Sequence, residues 1–295
     1  MPNPSSIPSW KNYLTLCKPN VVAEMIFTAV VGMLLAVPGI PPLEPFFYGT
    51  LGIALAASSA AAINQFIDRK ADAQMSRTEK RPLPTGELTT TNVISFALVL
   101  GISAMLILVL LVNILTAVLT FLSLFGYAIV YTLYLKRATP QNIVIGGIFG
   151  ATPPLLGWCA MTGDVHPHAL LLTLIIYVWT PPHFWALAIA RREEYAKVNI
   201  PMLPVTHGSA FTRLQILLYT ILLLCVTLLP YLTRMSGLIY VASAILLDVG
   251  FIYYAVLMMR KKDNKTAMKT FVYSIVYITL LFAALLIDHY YLYTI

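Results

Sequence analysis

Three polar side chains recur at four-residue intervals within Asn64-Gln-Phe-Ile-Asp68-Arg-Lys-Ala-Asp72. On a helix they share one face, drifting about 40° per step and lying about 6 Å apart along the axis. Two carboxylates and an amide oxygen in a row make a hard-oxygen surface suited to Mg²⁺. That ion takes one or two carboxylates and leaves its other positions to water and phosphate oxygens. Arg77, Lys80 and Arg81 follow directly, ahead of Pro82-Leu83-Pro84. The segment therefore offers cation-binding acids beside bases suited to a diphosphate. The competing reading is a charged helix end whose acids and bases are merely solvated. The amide one turn before Asp68, the shared face and the basic cluster weigh against it.

A second constellation lies in Tyr177-Val-Trp179-Thr-Pro181-Pro182-His183-Phe-Trp185, which continues to Arg191-Arg192-Glu193-Glu194-Tyr195. A histidine inside an apolar run is costly and points to function. The Pro181-Pro182 pair is expected to kink or break the helix just before His183. His183 and Glu194 are eleven residues apart, so a regular helix puts them on one face about 16 Å apart. The alternative is that His183 bonds a neighbouring carbonyl and only ties helices together. Between the two constellations, Tyr131, Lys136, Arg137 and Asn142 precede the small residues Gly146, Gly147, Gly150 and Gly157, then Trp158. Small residues let helices, or a flat ligand, approach closely. Lys136 and Arg137 either mark the inner membrane side or hold phosphate. Glu24 and Asp248 also interrupt apolar runs; a structural pairing with a tyrosine or lysine is the favoured reading for both. Cys17, Cys159 and Cys225 are scattered, with no C-x-x-C, and read as packing residues. His166, His168 and His289 fall on the outer side.

The elements that must position these groups follow from composition. The chain has 295 residues, 59% apolar and only 11% charged. Too few polar side chains remain to cover a water-soluble fold of that size, which excludes an ordinary cytosolic enzyme, a disordered chain and a disulfide-stapled secreted domain. Nine apolar runs are long enough to span a bilayer, at roughly 21–38, 46–67, 92–112, 114–135, 141–161, 169–190, 212–231, 236–259 and 270–287. The fold class is all-α, a polytopic membrane protein. Every Lys and Arg except Arg234 falls on one side of the nine spans. That side is the cytoplasm by the positive-inside rule, with the N-terminus inside and the C-terminus outside. The net charge of +7 is thereby explained by topology, without nucleic acid. A single transmembrane domain over 1–295 is expected, with a cytoplasmic N-terminal segment at 1–20 and catalytic loops at about 68–91 and 191–211. No cleavable signal or transit peptide is read before the first span, so a bacterial inner membrane is expected, with the active site facing the cytoplasm.

These residues carry a resemblance. Asn64-x-x-x-Asp68-x-x-x-Asp72-x-x-Met75-x-Arg77-Thr78-x-x-Arg81-Pro82-Leu83-Pro84 resembles the first motif of the UbiA-type intramembrane prenyltransferases. Tyr131-Thr132 with Leu135-Lys136-Arg137-x-Thr139-Pro140-x-Asn142, the run Gly146 to Trp158, Trp179-x-x-Pro182-His183-Phe184 and Pro201-Met202-Leu203-Pro204-Val205 are similar to the protohaem IX farnesyltransferase branch. The likeness runs from about Lys18 to about Gly208. Two positions depart from the branch: Glu194 stands where it usually has Asp, and Asn20 where a basic residue is expected after Lys18-Pro19.

The resemblance implies nine helices around a central cavity open to cytoplasm and lipid, and a substrate pair of farnesyl diphosphate and haem B. The product would be haem O, carrying a hydroxyethylfarnesyl tail. In this reading Asp68, Asp72 and Asn64 hold Mg²⁺, joined by Glu194, and Arg77, Arg81, Lys136, Arg137 and Arg191 hold the diphosphate. Tyr131, Trp158, Trp179 and Trp185 shelter the allylic cation. His183 positions the closing water, holds a propionate or ligates the iron, and His207 is a second candidate. With no C-x-x-C-H, haem is a substrate and not a fixed cofactor. A haem-handling, haem A synthesis or oxidase-assembly partner on the cytoplasmic face would fit. Two alternatives stay open at this point. One is a prenyltransferase acting on an aromatic quinone precursor. The other is a transporter, which would place polar groups near mid-membrane on several spans.

Overall fold

Apolar runs of this length find no water in lipid for their backbone amides, so each closes its own hydrogen bonds as helix. The computed structural model describes residues 9–293; residues 1–8 of the expected N-terminal segment lie outside them. It is helical, with no strand among the described residues. The helices are α1 (Trp10–Leu16), α2 (Pro19–Leu35), α3 (Leu43–Asp72) and α4 (Thr90–Leu111). They continue as α5 (Ile114–Ala138), α6 (Asn142–Thr162) and α7 (Pro167–Ala190). The short α8 (Arg192–Lys197) precedes α9 (Gly208–Leu232), α10 (Leu238–Lys261) and α11 (Asn264–Tyr293). Eight of these are long and apolar enough to cross a membrane, and the bent α1–α2 pair makes nine if it counts as one broken span. The protein is a multi-pass membrane protein.

The bend follows from sequence. Proline disfavours the right-handed helical region for the residue before it and suits the first turn of the helix that follows. Lys18 accordingly sits in the left-handed region (φ 50°, ψ 63°), Pro19 opens α2, and the two helices meet at 55°. The helix carrying the first motif runs past its apolar stretch to Asp72, so Asn64, Asp68 and Asp72 are all helical and the loop that follows is shorter than expected. The Pro181-Pro182 pair does not break α7, which is continuous through both prolines. The irregular helix is α5, whose Gly126–Leu135 stretch is wound as a π-helix, with Thr132 Oγ1 donating to the Tyr127 carbonyl (2.8 Å). Such stretches are rare and concentrate at functional sites.

α7 is the central helix: 72% of its apolar window is buried, against 22% for the peripheral α4. It packs against α6, α9 and α11, while α2 lies along α6 and α3 along α4. The largest core cluster joins Val31, Trp158, Leu172, Trp179, Tyr240, Phe251 and Tyr277. Asp248 is fully buried and accepts from Thr227 Oγ1 (2.7 Å) and Tyr277 Oη (2.6 Å), which ties α9, α10 and α11 together. The structural reading of that acid holds. Glu24, favoured for a structural pairing as well, instead lines the cavity, and its buried Oε1 has no partner among the described residues.

The α2–α6 contact depends on two glycines. A Cβ at Gly157 would run into the Ala29 carbonyl, and one at Gly32 into the Pro154 backbone. Gly157→Ala is expected to destabilise the fold by about 1–3 kcal/mol, the usual range for overpacking. Gly150→Ala, whose Cβ meets nothing within 4 Å, should melt like the parent protein. Thermal unfolding of both variants in detergent checks this.

Candidate active site

Helical periodicity puts Asn64, Asp68 and Asp72 on one face of α3, and all three are at least 95% buried. Ionised groups so buried require partners. Asp68 Oδ2 lies 2.5 Å from Lys136 Nζ, and Arg137 Nη2 stands 3.8 Å from its other oxygen. Asp72 Oδ2 lies 2.5 Å from Arg81 Nη1. Asn64 Nδ2 donates to Asp68 Oδ2 (3.0 Å) and Thr132 Oγ1 (3.2 Å), while its Oδ1 accepts from Lys18 Nζ (2.6 Å). Four segments therefore converge: the end of α3, the loop after it, the last turns of α5, and the α1–α2 bend.

Local chemistry places each base. Thr78 is buried and donates to the Asp72 carbonyl (2.9 Å), turning the chain back so that Arg81 faces Asp72. Met75 anchors the same turn in a core cluster with Trp185, Tyr195 and Met202. On α5 the π-helical winding precedes Lys136 and sets Tyr127 and Tyr131 as a stacked pair, 5.5 Å between centroids.

The three motif side chains, Lys18, Arg81, Lys136 and the tyrosine pair line one cavity of about 710 Å³. Lys18, Arg77, Arg81 and Lys136 give it a basic end, together with Asn64, Asp68 and Asp72. Tyr127, Tyr131, Trp179, Phe184 and Phe271 give it aromatic walls, and His183 also faces it. Tyr195, on α8 outside the spans, adds a buried phenol; burial raises its pKa above the ordinary value and keeps it a hydrogen-bond donor. The excess of bases over carboxylates suits a polyanion. Asp68 Oδ1 is buried with no hydrogen bond among the described residues. With Asp72 and Asn64 it forms a hard-oxygen set that fits Mg²⁺ shared with phosphate oxygens. No group of three or more His, Cys, Asp or Glu side chains suited to a metal occurs among the described residues, so an all-protein cage is not what the site offers.

Several expected residues stand elsewhere. α7 ends at Ala190, Arg191 leaves the helical conformation, and α8 starts afresh. The shared-face argument linking Glu194 to His183 therefore fails. Glu194 pairs with Arg191 (2.8 Å), and neither lines the cavity. Trp185 is two residues beyond His183, about 200° round the helix, and packs edge-on against Tyr219. Trp158 lies near the far end of α6, stacked on His166. His207 is exposed and bonds Thr206 Oγ1 (2.8 Å). Arg137 is about half exposed and approaches the site only through Asp68. The sequence does not single out Lys18, Tyr127, Thr132 or Phe271. Lys18 is a basic residue before proline whose place also fits the cytoplasmic side. Tyr127 stands one turn before Tyr131. Thr132 lies within the Tyr131-Thr132 motif, and no spacing marks Phe271.

The cavity of this helical membrane bundle joins paired carboxylates, bases and aromatic walls, an arrangement that suits a ligand both anionic and partly apolar. Residues 25–289 match the UbiA prenyltransferase family, and the chain belongs to that family. It is 64% identical to a Protoheme IX farnesyltransferase of Methylococcus capsulatus, over 96% of this chain and 95% of that protein. Against a Protoheme IX farnesyltransferase of Saccharophagus degradans it is 59% identical, over 96% and 94%. The fold is similar to a solved structure of digeranylgeranylglyceryl phosphate synthase (TM-score 0.79, 19% identity, 95% of this chain and 98% of that one). It is also similar to a UbiA homolog from Archaeoglobus fulgidus bound to GPP and Mg²⁺ (TM-score 0.65, 16% identity, 93% and 99%).

Divalent-cation binding separates the two candidate acid sets. Asp68→Asn is expected to weaken Mn²⁺ binding, read by electron paramagnetic resonance in the presence of diphosphate, by at least about tenfold. Glu194→Gln should leave it within about twofold.

Proposed function

We propose that the protein transfers the farnesyl group of farnesyl diphosphate to a vinyl group of haem B, with addition of water, giving haem O. One observation carries the reading. A chain 64% identical over nearly its whole length to a Protoheme IX farnesyltransferase brings the diphosphate-type bases and both motif carboxylates to one end of an aromatic-walled cavity. A quinone-precursor acceptor is not favoured by these relatives. Transport is not favoured either, because the bases and paired carboxylates that line the cavity gather at helix ends, and the mid-span Asp248 is engaged by Thr227 and Tyr277.

Lys18, Arg77, Arg81 and Lys136 bind the diphosphate oxygens by charge-assisted hydrogen bonds. Mg²⁺, held by Asp68 and Asp72 with Asn64, supplies Lewis-acid neutralisation of the same group when bound. As the allylic C–O bond breaks, its electron pair moves onto the diphosphate. The bases are already placed where that charge grows. Tyr127, Tyr131, Trp179 and Phe271 keep bulk water from the allylic cation and offer it π faces. The vinyl π pair forms the new carbon–carbon bond, and water then supplies the hydroxyl. Residues 1–295 act as one transmembrane domain. It lies in a bacterial inner membrane, with the charged end of the cavity toward the cytoplasm, where a haem-handling or haem-consuming partner would meet it.

Expression in a bacterium that makes no haem O, followed by mass spectrometry of extracted haems, tests the reading. A haem B derivative heavier by one farnesyl group and one water is expected. Asp68→Ala should lower its yield by about 10²–10³-fold, the scale of losing one transition-state charge stabiliser. Unmodified haem B alone, with the protein folded and farnesyl diphosphate supplied, overturns it.

A further inference from the structure

His183 is held on the α7 wall of the cavity by groups that settle where its proton sits. Its ring packs against Trp179 (4.2 Å between centroids, 22°) and Phe271 of α11 (4.6 Å, 31°). Its Nδ1 lies 2.7 Å from Ser274 Oγ. That hydroxyl also lies 2.6 Å from the Phe271 carbonyl, to which it donates. A carbonyl oxygen can only accept, and a serine hydroxyl has one hydrogen. The hydrogen is committed to Phe271, so toward His183 the serine oxygen is an acceptor and Nδ1 carries the ring proton. In the neutral imidazole Nε2 then bears the lone pair. Ser274 is fully buried. Its own carbonyl accepts Trp179 Nε1–H (2.9 Å), so one residue fixes the tautomer and also anchors the indole stacked on the imidazole.

We propose that Ser274 is a positioning residue that holds His183 with its Nε2 lone pair toward the cavity, and that this lone pair takes the proton when water closes the reaction. The inference rests on haem farnesylation as the activity. Once the vinyl carbon has bonded to the farnesyl C1, positive charge rests on the carbon next to the macrocycle. A water oxygen donates a pair to that carbon, forming the C–O bond. One O–H bond of the bound water breaks, its pair staying on oxygen and its proton passing to Nε2. The ring becomes an imidazolium whose Nδ1–H still donates to Ser274. Without an oriented acceptor the same cation loses a proton from carbon, and the product is an olefin lighter by one water.

The experiment uses the full-length protein in nanodiscs with farnesyl diphosphate, haem B and Mg²⁺. It reads total turnover and the ratio of hydrated to dehydrated product. Ser274→Ala should lower turnover by about tenfold, the scale seen when a partner orienting a histidine is lost, and shift the ratio toward the olefin. Ser274→Thr keeps a hydroxyl and should restore both. His183→Gln should shift the ratio as Ser274→Ala does. A wild-type ratio in Ser274→Ala, at any turnover, overturns the proposal. So does an equal loss in the Ala and Thr variants with the ratio unchanged, which would mark Ser274 as packing only. A ratio that follows Glu24→Gln and not Ser274→Ala would assign the proton to the unpartnered carboxylate of Glu24 and overturn it as well. If the unmodified protein forms no farnesylated haem, the proposed activity itself fails, a result distinct from all of these.

Discussion

Two carboxylates buried at the end of one helix constrain much of the fold. An unpaired ionised group in such surroundings costs several kcal/mol, so Asp68 and Asp72 persist only if cations reach them. Those cations come from separate stretches of chain. Arg81 arrives by a tight return of the loop after α3, and Lys136 by the last turns of α5. Lys18 reaches Asn64 from a backbone bend 46 residues away in sequence. The bend, the loop and the irregular winding of α5 are each intelligible as means of bringing a positive charge to the same end of the cavity. The bases that neutralise these carboxylates are also of the type that suits a diphosphate.

The rest of the bundle supports that arrangement by close packing. α7 is enclosed by its neighbours and continuous through two prolines, so its Trp179–His183 face is held from several sides. The Asp248 network clamps α9, α10 and α11, and α11 in turn presents Phe271 and Ser274 to His183. The two glycine contacts between α2 and α6 fix the wall that carries Glu24.

Much of this was legible in the amino-acid order. The Asn64, Asp68 and Asp72 face could be read because helical periodicity alone determines it, and the spans because lipid allows little else. Lys136 was legible by type and place. Glu194 was misplaced because periodicity was carried through Arg191, where the helix stops. Trp158 and Trp185 were misplaced because an aromatic residue type has no direction: the first lies at the wrong end of its helix and the second on the wrong side. The interrupted span was expected at Pro181-Pro182, yet tertiary packing keeps that helix whole. The deformation lies instead at Gly126–Leu135, where no proline announces it. Lys18 and Ser274 could not be found by spacing, since each acts on a partner in a distant helix.

The backbone at Lys18 gives the first helix a mechanical role. A non-glycine residue in the left-handed region carries about 1 kcal/mol or more of strain, and here the side chain of that same residue is anchored to Asn64. Hinge and anchor are one residue. The direction of α1, with Trp10 exposed at its start, is therefore set by the same residue whose ammonium lies at the charged end of the cavity.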